Sequence, residues 1–146
     1  MTMQTFLPYA DFEKTAKALD YRRLGKQRVE TWQILRAMNG LTRGWTNHPA
    51  TKMWEGFEKA LCIYGIEICN EWVRRGYKDT MTIRFQEHLQ TIDEPLVMPP
   101  WLGDESFHES HKSNLIRKDP EFYGPIFPGT ANNLEYVWPS GLLVSI

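Results

Sequence analysis

Apolar residues recur at three- and four-residue spacing along most of the chain, and no strong two-residue alternation appears before the last residues. Asp11 is placed to cap a short helix from Phe12 to about Leu19, and Asp20 a second from Tyr21 to about Met38. In the second, Leu24, Thr31/Trp32, Leu35 and Met38 fall on one face, and Asn39-Gly40 supplies the stop. The stretch LTRGWTNHPATK, broken by Gly44 and Pro49, reads as loop. A long central helix is expected from about Ala50 to Arg75, ended by Gly76. Its main stripe is Met53, Phe57, Leu61, Tyr64, Ile68 and Trp72, widened by Ile66, Cys69 and Val73. Thr82 to Leu89 is a candidate short helix. DEPLVMPPWLGDE is a proline-rich loop, and SFHESHKSNLIRK is a further helix with Phe107, His111 and Leu115 on one face. The tail DPEFYGPIFPGTANNLEYVWP is so rich in Pro, Gly and aromatics that it is expected to wrap the surface without regular helix. The expected fold is mainly α: a single compact helical domain over residues 1–146 with extended C-terminal loops.

Composition narrows this picture. Apolar residues make up 42% and aromatics 13%, enough for a core and too many for a disordered chain. Six Trp in 146 residues is a high count, so some of these rings are expected at a surface or cleft. No stretch approaches the ~20 apolar residues of a membrane span. The start, MTMQTFLPYADF, has neither the basic opening nor the apolar run of a signal peptide. The expectation is a soluble, cytoplasmic protein that acts as a monomer. Cys62 and Cys69 lie seven apart on a predicted helix, roughly 10 Å by helical rise, too far for a disulfide. They read as buried structural thiols.

Charge changes the picture more. The formal net charge is −1, yet from Lys14 to Lys52 nine Lys/Arg face two acids, Asp20 and Glu30, leaving the rest of the chain acidic. Within DYRRLGKQRVE, Arg22, Arg23, Lys26 and Arg28 crowd around Glu30. Arg23, Lys26 and Glu30 can share a helix face. One reading is a solvated face with an ordinary Lys26–Glu30 salt bridge, worth a few tenths of a kcal/mol. The other is a phosphate-gripping surface on double-stranded DNA around one catalytic acid, whose charged form the cations stabilise.

Other chemistry is limited. His108 and His111 flank Glu109, but at i,i+3 and not at the i,i+4 that turns two histidines onto one zinc. His48 and His108 are candidates for a place near phosphate or an extruded base, with ordinary surface or core histidine as the alternative. Loop aromatics such as Trp45, Trp101, Phe122, Tyr123 and Phe127 can stack on bases or pin loops to helices. No GxSxG, P-loop, GxGxxG, CxxC or HExxH is present, and no metal or cofactor is expected. The chain does offer amines. Removal of Met1 ahead of the small Thr2 frees an α-amine with a pKa near 8, about two units below lysine. Such an amine is a nucleophile able to form a Schiff base with a sugar carbon.

Three stretches then carry a family resemblance: Thr2 with Tyr21-Arg22, the segment HPATKMWEGFEKALCIYGIEICNEWVRRGY, and FHESHKSNLIRKDPEFYG. In order and spacing, over some two thirds of the chain, they resemble the endonuclease V type of pyrimidine-dimer DNA glycosylase. The resemblance implies a metal-free glycosylase with linked AP-lyase activity, whose N-terminal amine attacks C1′ of the damaged nucleotide. Carried over by position, Thr2 is the nucleophile, Arg22 and Lys26 grip phosphates, and Lys112 and Arg117 lie on a second DNA-facing helix. The family's catalytic glutamate directly follows the Tyr-Arg pair, where this chain has Arg23. Glu30, two turns along, is the replacement candidate; Asp20 is a weaker one, because capping explains it. The alternative is a noncatalytic duplex-binding module of the same fold that has lost the acid.

Overall fold

The computed structural model describes residues 4–41 and 47–139. Among these the chain forms seven helices: α1 (Phe12–Ala18), α2 (Tyr21–Met38), α3 (Pro49–Lys52), α4 (Glu58–Arg74), α5 (Thr82–Gln90), α6 (Glu105–Lys118) and α7 (Pro120–Ile126). No strand occurs among the described residues, so the fold is all-helical.

Helices α2 and α4 pack side by side, with α1 and α5 also on α4. Leu24, Ile34 and Leu35 of α2 meet Leu61, Tyr64 and Ile68 of α4, all buried. Two glycines permit close approach. A Cβ on Gly65 would lie 2.6 Å from the buried Phe85 ring, and one on Gly25 would lie 2.8 Å from Trp72. Trp54, Trp101 and Phe107 stack edgewise or tilted and join α6 to this core. Cys62 and Cys69 are buried free thiols, and burial pushes both up to about 12, so they stay protonated.

The structure departs from the predicted elements in four places. The long helix expected over 50–75 is two, because Gly56 takes φ +86, a left-handed conformation that ends one helical run before Phe57 opens the next. Val73, assigned to the apolar stripe, is 52% exposed on the last turn of α4. The tail is not wholly irregular: α7 starts at Pro120, where a missing N–H costs nothing, and the Asp119 carboxylate accepts from the Phe122 N–H. Asp20 occupies the N-cap position of α2, but its carboxylate makes no cap hydrogen bond. It accepts instead from the Tyr123 hydroxyl and pairs with Arg23 at 3.2 Å.

Beyond α7 the chain runs back along α6. Arg117 donates to the carbonyls of Asn132 (2.7 Å) and Leu134 (2.6 Å), while Ser113 and Ser110 hydroxyls accept from the N–H groups of Leu134 and Val137. No helix among the described residues is long and apolar enough to cross a membrane.

Candidate active site

A cleft of about 620 Å³ opens where the first turns of α2 meet the junction between α6 and α7. Its α2 wall carries Arg22, Arg23, Lys26 and Glu30, with Asp20, Tyr21 and Gln27 beside them; its other side carries Lys118, Asp119 and Phe122. The helical period turns positions 23, 26, 27 and 30 to one side, and the clustered cations follow.

Two buried acids line this cleft: Asp20, 6% exposed and held by Tyr123 and Arg23, and Glu30, 9% exposed, with Lys26 Nζ 3.6 Å from its carboxylate. Burial raises its pKa above the usual carboxylate value. Lys26, the backbone N–H of Gln4 and the more distant Lys118 all pull the other way without cancelling the rise. The Lys26–Glu30 pair read from the sequence therefore forms, within a cleft lined by further cations, but burial outweighs the stabilisation of the charged form expected from them.

The N-terminal segment is held against this acid by an internal network. Gln27, 1% exposed, donates to the Gln4 carbonyl (2.7 Å) and accepts from the Phe6 N–H (3.2 Å). The buried Tyr64 hydroxyl sits 2.8 Å from Gln27 and 2.7 Å from the Phe6 carbonyl. One residue on, Leu7 is clasped by two histidines. Its N–H donates to His111 Nδ1 (2.9 Å), and its carbonyl accepts from His108 Nδ1 (2.8 Å). His108 must carry its proton on Nδ1, because Nε2 accepts from the Gly103 N–H at 2.9 Å. Burial, with His108 adding to it, drives His111 down to about 3, so its ring stays neutral as the acceptor of that bond.

Arg28, His48, His108, Lys112 and Arg117 do not line the cleft. Arg28 faces the other way, pairing at 2.5 Å with Asp79, whose side chain is 2% exposed, and lying over the Trp72 ring at 4.5 Å. His48 caps α3, its Nδ1 accepting from the Ala50 N–H, and burial lowers its pKa. His108 is engaged in the clasp described above, with both ring nitrogens bonded to backbone. Lys112 pairs with Glu109 at 3.2 Å and lies over the Tyr9 ring, and Arg117 straps the tail. Of the loop aromatics, Trp101, Tyr123 and Phe127 are buried, Phe122 stands at the cleft with 40% exposure, and Trp45 lies outside the described residues. Thr2 also lies outside them.

Sequence reasoning passed over Lys118, Gln27 and Phe6 as cleft residues. Lys118 carried a faint signal, a cation beside Arg117 at the end of a helix, but its orientation depends on α7. Gln27 carried none, since its role is set by partners 21 to 37 residues away.

Comparison with known proteins fits this geometry. No curated protein and no solved structure matches the chain. A family model described as pyrimidine dimer DNA glycosylase matches residues 3–85, the stretch that holds the N-terminal segment and the whole α2 wall of the cleft. The chain thus belongs to the pyrimidine dimer DNA glycosylase family.

Proposed function

We propose that the protein excises a UV-dimerised or modified pyrimidine from double-stranded DNA through a Schiff base on the Thr2 α-amine, and then cuts the strand as an AP lyase. The carrying observation is that the backbone N–H of Gln4 reaches the buried Glu30 carboxylate in a cleft ringed by cations. One residue, Met3, separates Gln4 from Thr2, and these two steps of chain span at most about 7 Å when fully extended. An amine at Thr2 therefore has the reach to share the cleft with Glu30.

The division of labour follows from the chemistry. An α-amine is more often unprotonated near neutrality than a lysine, so it supplies the nucleophile for C1′. Its attack expels the base and leaves an imine. Glu30, whose raised pKa lets it hold a proton nearer neutrality, passes that proton at the sugar and takes one from C2′ as the 3′-phosphate leaves. Arg22, Arg23 and Lys26 neutralise the flanking phosphates, and Tyr21 and Phe122 offer exposed aromatic faces at the mouth for an extruded nucleotide. The protein works as a monomer in this account, since one chain supplies every group named.

A second reading, a duplex-binding module without catalysis, draws on Arg23. It stands where the resemblance places a glutamate, and it is paired to Asp20. Incision separates the two. A duplex carrying one pyrimidine dimer is expected to be cut and an undamaged duplex left whole; intact dimer duplex despite normal binding favours the module. Under either reading, Arg22→Ala should weaken binding to all duplexes alike and reduce the slope of log affinity against log salt by about 1. Titrations at several salt concentrations measure this, and an unchanged slope removes Arg22 from the phosphate contacts.

A further inference from the structure

The cleft holds a second amine. Lys118 ends α6 and enters the cleft from the side opposite Arg22, across from Glu30. It lies outside the matched residues 3–85. Lys17, Lys26 and Lys112 are each paired with a carboxylate on their own helix. Among the described residues no carboxylate lies within ion-pairing distance of Lys118, and its Nζ stands 6.0 Å over the ring of Phe6. Asp119, its neighbour, is spent on capping α7.

Resting on the Schiff-base reading, we propose that Lys118 is a second imine-forming amine, which takes the C1′ aldehyde of a ring-opened abasic deoxyribose and gives the protein an AP-lyase activity independent of its α-amine. The step balances without any outside reagent. The Lys118 nitrogen bonds to C1′ and the aldehyde oxygen leaves as water. Ionised Glu30 takes the C2′ proton, the C3′–O bond breaks, and the 3′-phosphate departs with the electron pair. Water then hydrolyses the imine and returns the free amine. Partial desolvation lowers the amine's pKa, Arg23, Lys26 and Arg117 lower it further, and Glu30 opposes them, which raises the reactive fraction above that of an ordinary lysine.

The test uses full-length protein in two forms, one with a free α-amine and one acetylated at the α-amine, each mixed with an abasic duplex and borohydride. Digestion and mass mapping locate the adduct. The acetylated form is expected to give an adduct on the peptide carrying Lys118. Lys118→Arg in that form should lose the adduct while duplex affinity holds, because arginine keeps the charge and not the nucleophile. An adduct on the N-terminal peptide of the free form, with none from the acetylated form, overturns the Lys118 proposal and leaves the Thr2 reading standing. No adduct from either form, with the abasic duplex bound normally, overturns both.

Discussion

Glu30→Gln is expected to lower strand cutting by a factor on the order of 10²–10⁴, the usual contribution of a positioned acid–base group, while duplex binding stays close to that of the unaltered protein. Glutamine fills the same volume and can still accept from the Gln4 N–H, so the cleft and its cations remain in place. It cannot exchange a proton with the sugar. Single-turnover incision of a dimer-bearing duplex, set beside binding at the same salt, measures both quantities. Equal cutting by both proteins would remove Glu30 from the chemistry.

The same substitution has a stability signature with a defined sign. Because the folded-state pKa of Glu30 is raised, ionisation costs more in the folded protein than in the unfolded chain. Its contribution is fully present below the ordinary carboxylate pKa and is lost as pH rises through the raised one. Glu30→Gln removes that loss. The variant should therefore melt at or above the wild-type temperature at pH 8, with its advantage fading toward pH 4. A buried acid that can be replaced without weakening the fold is one that stability alone does not account for.

Arg28→Ala is expected to do the reverse: cost about 3 kcal/mol of stability and leave the cleft's chemistry in place. Removing one partner of a buried ion pair strands the other, at roughly 3–5 kcal/mol. Asp79 has only 2% of its side chain exposed. The low end applies because Thr82 still donates to Asp79 from both its hydroxyl and its backbone N–H. Burial alone would raise the Asp79 pKa, but the hydrogen bonds from Thr82 and Arg28 hold it below the usual value. The pair's stabilisation is therefore present above the ordinary aspartate pKa and lost as pH falls through the depressed one. Chemical denaturation at pH 7 and pH 3 should show a large gap between wild type and variant at the first and a smaller gap at the second. A gap below about 0.5 kcal/mol at pH 7, the size of an exposed pair, would mean that Arg28 is not structural.

These two residues sit two positions apart in one helix and face different partners, which bears on how far sequence can be read. The limits of α2 were legible because Asp20 and Asn39-Gly40 bracket a clean apolar period, and the shared face of Arg23, Lys26 and Glu30 followed from helical spacing. Arg28 was not legible, since its partner is 51 residues away. The same holds for His108 and His111, whose partner Leu7 is 101 and 104 residues distant. A helix period predicts which side chains share a face; it does not predict what folds against that face. The break at Gly56 was hidden because Met53 and Phe57 keep the four-residue spacing across it. The opposite mistake hid α7, where the Pro and Gly content outweighed the Asp119-Pro120 start signal. Missing α7 also concealed the far side of the cleft and, with it, Lys118.

The central claim is that an amine near the chain's start and the Glu30 carboxylate act on one sugar carbon. Borohydride trapping on a duplex with a single pyrimidine dimer tests it most directly, with the adduct located by peptide mass mapping. The account predicts a covalent protein–DNA adduct on the N-terminal peptide, formed only when reductant and damaged duplex are both present. Tight binding of that duplex with no trapped adduct would contradict it.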